Sequence, residues 1–139
     1  MARPRRYDDD VRSRLLEAAS VALAQHGSEG VSLRAVATAA STTTAAVYTL
    51  FGGRESLLEE VVAEGFRRFA SQLDAVPETD DPGEDLFRLG LAYRDSALAE
   101  PHFYRAMFER PAAPGHDTIA HGTFDRLRRA AARVRGPQG

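Results

Sequence analysis

The 139-residue chain has no cysteine, which removes disulfides and thiolate metal sites and makes a reducing cytoplasm the expected setting. It has no lysine either. All 18 basic residues are arginine, a usage attributable to coding bias rather than to phosphate binding. No apolar run approaches the roughly 20 residues that cross a bilayer. The opening MARPRRYDDD carries basic residues with no apolar segment behind them. Neither a membrane span nor a secretory signal is therefore expected. No segment alternates polar and apolar residues with period two, so no sheet is expected. A Ser/His/Asp pattern, a glycine-rich phosphate loop and an isolated acid pair are also missing, so the chain reads as no enzyme and calls for no cofactor. His102 follows a proline, and His116 and His121 lie five apart. Without cysteine or a carboxylate pair at ligand spacing, they predict no metal site.

What is present suits one compact unit, or a small module on a larger helical body. Hydrophobic residues make up 43% and charged residues 27%, enough apolar material for a core in an ordinary soluble protein. The net charge of −2 excludes a protein that is basic throughout. Its distribution is more informative: residues 1–54 carry +2 and residues 55–139 carry −4. A mildly positive front on an acidic body fits a nucleic-acid contact confined to one end.

In chain order, residues 1–7 read as a short basic arm, able to reach phosphates or a minor groove, or simply a solvated tail. Asp8, Asp9 and Asp10 suit a helix start, where carboxylates oppose the positive end of the macrodipole. Val11, Leu15, Ala18, Ala19, Ala22 and Leu23 then recur at helical spacing, and Gly27 closes that helix. Next comes SLRAVATAASTTTAAVYTLF, residues 32–51. Ser32 is a suitable N-cap, and Leu33, Val36, Ala37 and Ala40 give a small apolar stripe. The hydroxyl run from Ser41 to Thr44 interrupts it, and Thr43 can cap a second short helix through Tyr48. Two short helices across a tight turn form a helix-turn-helix, whose second helix can enter a major groove.

Gly52 and Gly53 end that helix, and Arg54 opens a fourth with Leu57, Leu58, Val61, Val62, Gly65, Phe66, Phe69 and Leu73 as its apolar stripe. Running to about Val76, it would be about 33 Å long. After a polar break, Asp81-Pro82-Gly83-Glu84 forms a capping box of the D-x-x-E kind. The helix behind it turns Leu86, Leu89, Gly90, Tyr93 and Ala97 inward and ends before Pro101. A short aromatic helix follows, then a loop at Pro111, Pro114 and Gly115. A last helix from about Asp117 has Phe124, Leu127, Ala131 and Val134 inward and arginines outward, with Gly136-Pro137 stopping it.

The front half resembles the TetR family of bacterial transcriptional regulators. The resemblance runs from about Asp9 to Phe69: LLEAA at 15–19, Gly27, SLRAVA at 32–37, VYTLF at 47–51 and RESLL at 54–58. AYRDSALAEPHFYRAMF, residues 92–108, resembles one subgroup of the same family. It implies an all-α fold: a three-helix helix-turn-helix head (9–69, motif 32–51), joined by a long fourth helix to a helical ligand-binding and dimerisation body (82–135). Members usually continue for further helices that form the dimer bundle, so this body is expected to be partial: a short member or a fragment. Ser41-Thr42 stands where the family usually has Gly-Val, and Ser at a position favouring positive φ would cost on the order of 1 kcal/mol. Thr49 and Arg54 stand where Arg and Lys are common.

The resemblance implies roles for particular residues. Thr42, Thr43, Thr44, Ala45 and Thr49 would face base edges, and Ser32, Arg34, Tyr48 and Arg54 would hold phosphates. On pattern alone, the threonines could be no more than a capped turn and Tyr48 a half-buried core residue. Phe66, Phe69, Tyr93, Phe103, Tyr104, Met107, Phe108 and Phe124 would surround a cavity for a small apolar or amphipathic inducer, or else fill the core. The implied protein is a cytoplasmic, ligand-responsive repressor, a homodimer on double-stranded DNA with a palindromic operator. The alternative is a truncated helical interaction protein that binds no DNA.

Overall fold

A computed structural model of the protein describes residues 5–136, all helix and connecting turns with no strand among them. Seven α-helices follow in order: α1 Arg5–His26, α2 Leu33–Ala39, α3 Thr44–Phe51, α4 Arg54–Asp74, α5 Pro82–Ala99, α6 Pro101–Ala106 and α7 Asp117–Arg135. Short 3-10 turns at Ser28–Gly30 and Pro114–His116 lead into α2 and α7. No helix among the described residues is long and apolar enough to cross a membrane. Helix α1 starts at Arg5, so the last part of the expected basic arm is helical. Its first four residues, and Pro137, lie outside the described residues.

The fold is organised along α4. All eight residues of its predicted stripe are buried, and six of them, Leu57, Leu58, Val61, Val62, Phe66 and Phe69, meet Val11, Leu15, Leu16, Ala19 and Leu23 of α1, Val36 and Ala40 around α2, and Ala46 and Val47 of α3 in one core. Phe103, Ala106 and Met107 at α6 belong to that same cluster, so the head shares its interior with the body. A smaller cluster at the far end of α4 joins Leu73, Leu89 and Ala130, flanked by Val76, Leu86 and Leu127.

Two of the predicted faces differ from the structure. In α5, Gly90 faces outward while Asp85 and Ser96 are buried. In α7, Val134 is 47% exposed, and Arg126 turns inward at 8% exposure to donate to the Val76 carbonyl at 2.8 Å. Polar bonding explains both shifts. The Asp85 carboxylate accepts from the Thr79 N–H at 2.8 Å, the Thr79 hydroxyl at 2.6 Å and the Arg133 guanidinium at 2.8 Å. Arg133 also donates to the Thr79 carbonyl at 2.6 Å. The capping box is one-sided: Asp81 accepts from Glu84 N–H at 3.1 Å, but Glu84 turns to Arg88 and Thr79 takes the Asp81 N–H.

These bonds, with the Thr79 hydroxyl foremost and Arg133 next, hold Asp85 at about 2 against an ordinary value of 3.8. A carboxyl depressed on folding stabilises the fold above its unfolded pKa, and the stabilisation is lost as pH falls toward the folded value. Between about pH 4 and pH 2, the thermal midpoint of the wild type should therefore fall more steeply than that of Asp85→Asn, whose deficit at neutral pH narrows. Parallel midpoint-versus-pH curves would rule out this role for Asp85.

Candidate nucleic-acid interface

Local hydrogen bonding shapes the stretch from Ser32 to Phe51. Ser32 Oγ accepts from Ala35 N–H at 3.2 Å and caps α2. At the other end, Thr42 N–H donates to the Ala37 carbonyl at 2.9 Å and Ser41 N–H to the Thr38 carbonyl at 3.0 Å. This is a Schellman closure, with Ser41 at the left-handed position glycine usually takes. Its φ is 57°, so the turn keeps its shape and carries strain of about 1 kcal/mol instead of shifting. Thr43 Oγ1 then accepts from Ala46 N–H at 3.2 Å and starts α3.

Helix α3 buries Ala46 and Val47, which leaves Thr44, Ala45, Tyr48 and Thr49 on its outer side. Tyr48 is 60% exposed. Its ring lies over Gly53, where an added Cβ would sit 3.6 Å from the Tyr48 ring edge. The Gly52-Gly53 pair ends the helix, with φ of 92° and 144° that side-chain-bearing residues rarely adopt. Thr49 Oγ1 donates to the Ala45 carbonyl at 3.0 Å, keeping its methyl and oxygen lone pairs available outside. A hollow of about 350 Å³ lies on this surface, bordered by Tyr7, Asp8, Thr42, Thr43, Ala45, Ala46 and Thr49. Tyr7 was assigned to the arm in the sequence; its four-residue spacing to Val11 is the signal that would have placed it on α1.

The arginines divide sharply. Arg54, expected on phosphate, donates instead to the Val31 carbonyl at 3.1 Å, to the Ser28 carbonyl and to Glu55 at 2.7 Å. It fastens the start of α4 to the connector between α1 and α2, which makes it a positioning residue. Glu55 also accepts from Arg110 at 2.9 Å, and that bond, with the nearby charges, lowers the Glu55 pKa. Arg14 donates to the Ala40 carbonyl at 2.9 Å, capping the end of α2, and pairs with Asp10. Arg12 pairs with Glu60 at 3.2 Å and lies 4.6 Å over the Phe51 ring. Arg34 is exposed and pairs with nothing among the described residues.

The aromatic set expected around an inducer cavity packs on itself. Phe69 meets the rings of Tyr93 at 5.0 Å and Tyr104 at 5.4 Å, and Phe66 meets Phe124 edge-on at 6.0 Å. The Tyr93 and Tyr104 hydroxyls bond at 2.9 Å, and burial pushes the Tyr93 phenol up to about 12. Phe103 and Met107 are core residues, while Phe108 touches Tyr104 but is 60% exposed. Most of these ring pairs meet edge-on, the geometry aromatic pairs prefer. A cleft of about 600 Å³ lies instead between α4 and α5, with polar walls that include Arg67, Arg68, Ser71, Gln72, Asp95 and Ser96. Arg68, on its wall, bonds Glu17 of α1 at 2.9 Å and Glu100 at 2.8 Å, and lies 4.1 Å over the Phe103 ring.

The stretch from Leu15 in α1 to Val61 in α4 matches the family model of bacterial regulatory proteins, tetR family. That stretch, about a third of the chain, is what ties it to the TetR family. HTH-type transcriptional regulators of Mycobacterium tuberculosis and Mycobacterium bovis are similar to it, at 26% identity over 131 residues and 92% of this chain. The chain spans about half the length, 54%, of these relatives. A TetR-family regulator from Marinobacter aquaeolei shares the fold with a TM-score of 0.77 at 25% identity, over 97% of this chain and 72% of that one. The TetR-family regulator PfmR from Thermus thermophilus does so with a TM-score of 0.74 at 23% identity, over 85% and 68%. The match thus covers the second half of α1, all of α2 and α3 and the first turns of α4, the part that carries the face described above.

Proposed function

We propose that the chain is a DNA-binding transcriptional regulator that works in the cytoplasm as a homodimer and acts as a repressor. The observation that carries this reading is the outer face of α3. Thr44, Ala45, Tyr48 and Thr49 stand clear of the core on a helix fixed at both ends by caps, within a head of the TetR family. Short side chains let a helix lie deep in a major groove, where Thr offers a hydroxyl to base edges or a methyl to thymine. Thr42 and Thr43 extend that surface, while Tyr48, Ser32 and Arg34 flank it at positions suited to phosphates. Two such helices about 34 Å apart would meet successive major grooves of a palindromic operator. A dimer lying across a promoter excludes other proteins from it, and repression is the simplest consequence.

Ligand control is part of the same proposal. The α4–α5 cleft lies in the size range of small-molecule sites, and Arg67, Arg68, Ser71, Gln72 and Asp95 on its walls can hydrogen-bond a ligand there. Arg68 supports a link to the head, since a ligand competing for its carboxylates would be felt at Glu17 on α1.

Gel shift with DNA from upstream of the protein's own gene tests the DNA reading. Tyr48→Phe and Arg34→Ala alter exposed groups without touching a cap. Each should weaken binding about tenfold, the scale of one hydrogen bond to a charged group. Equal retardation by the wild type and the double variant, or no retarded complex at all, would reject it.

A further inference from the structure

The walls of the α4–α5 cleft differ in how far their polar groups are already used. Both cations are committed. Arg68 donates to Glu17 and Glu64 at 2.9 Å and to Glu100 at 2.8 Å. Arg67 donates to Glu64 at 3.2 Å and lies 3.7 Å from Glu60. Asp95, on the facing wall, is exposed and its carboxylate has no partner among the described residues.

Ser96, the next residue on that wall, is only 6% exposed, and its hydroxyl also lacks a partner among the described residues. A serine inside a helix commonly bonds a carbonyl of the preceding turn, as Ser20 does with the Glu17 carbonyl at 2.7 Å. Buried polar groups are seldom left unpaired. A buried hydroxyl that its own helix does not use, on the wall of a cleft, is open to a ligand.

We propose that the cleft takes a small protonated amine that also carries hydroxyl groups, with the Asp95 carboxylate as its counter-ion and the Ser96 hydroxyl as a hydrogen-bond partner. Charge selects this class. Glu64, Asp95 and Glu100 line the cleft against two guanidiniums that are already paired. An anion would meet Asp95 with no free cation to hold it, and a neutral ligand would leave that carboxylate unanswered. Ser71 and Gln72 stand three and four residues beyond Arg68, on one face of α4. Both are exposed and unbonded through their side chains among the described residues, so they can receive the hydroxyls. The inference rests on the ligand-control reading above and names the ligand class for that cleft.

Isothermal titration calorimetry of the full chain, at neutral pH and low salt, tests it without DNA. The probes are three amines, ethanolamine, putrescine and glucosamine, each beside an uncharged counterpart: ethylene glycol, butanediol and N-acetylglucosamine. Glucosamine should bind most tightly, with a dissociation constant of about 1 mM or below, as modest ligand efficiency gives for its size. N-acetylglucosamine should bind at least about tenfold more weakly, the scale of one hydrogen bond between charged groups. Asp95→Asn should cost each amine about tenfold and leave the uncharged counterparts unchanged, while Ser96→Ala should cost glucosamine about threefold. Neither side chain has a partner in the fold to lose, and circular dichroism would verify that both variants stay folded. Uncharged counterparts that bind as well as their amines would overturn the amine and leave the cleft a ligand site. Amine binding indifferent to Asp95→Asn would place the amine elsewhere and overturn the inference equally. Silence from all six compounds would overturn it together with ligand control, while DNA contact is decided separately by gel shift.

Discussion

Leu57→Ala should lower the free energy of unfolding by about 3 kcal/mol, the middle of the range for a fully buried leucine truncated to alanine. Leu57 has no exposed surface and stands in the first turn of α4. Its cluster draws on α1, the α2–α3 pair and α6 at once, so the surroundings cannot collapse into the space without moving several helices. The loss removes a large share of the 5–15 kcal/mol typical of a small domain. Because head and body share this cluster, urea unfolding should remain a single transition shifted to lower midpoint, seen alike by circular dichroism and tyrosine fluorescence. A shift worth less than about 1 kcal/mol, or a head that melts separately while the body persists, would contradict the shared core.

The second large effect concerns the crossing of α4 and α6. A Cβ added at Gly65 would lie 2.6 Å from Met107 Cγ and 3.2 Å from the Phe103 carbonyl oxygen. Met107 can bend away, being unbranched; the carbonyl belongs to the helix backbone and cannot. Gly65→Val should therefore destabilise by about 3 kcal/mol, the upper end for an overpacked core. Gly65→Ala gains about 1 kcal/mol of helix propensity yet should still come out destabilising. Thermal melts of the two variants decide the matter. An alanine variant more stable than the wild type would mean that the two helices do not approach as closely as described.

Legibility in the sequence followed the range of the interactions. Caps and turns are written within four residues, so Ser32, Thr43, Gly27 and Asp81 could be assigned from their neighbours alone. The stripe of α4 was equally plain, because a helix buried on a broad face repeats its apolar residues at helical spacing. Arg54 could not be read in this way. Its acceptors are backbone carbonyls 23 and 26 residues earlier, and a carbonyl leaves no mark in the sequence. The inward arginines of α7 and the buried Asp85 escaped for the same reason. Each is an ordinary solvent-facing residue until its partner is known: the Val76 carbonyl for Arg126, and Thr79 and one another for Asp85 and Arg133. For the aromatic set, composition identified the rings, while the offsets between helices decided which of them touch.

The arrangement of arginines in the head has a consequence for how ionic strength acts on the proposed complex. Salt weakens DNA binding by opposing the release of counterions, and it does so in proportion to the phosphates that cations neutralise. Arg12, Arg14 and Arg54 are already held by Glu60, Asp10, Glu55 and backbone carbonyls, while Arg34 is exposed. Three arginines engaged within the fold are three fewer to neutralise phosphates, so the proposed head would draw more of its preference from the fit of α3 to one stretch of groove than its arginine count suggests.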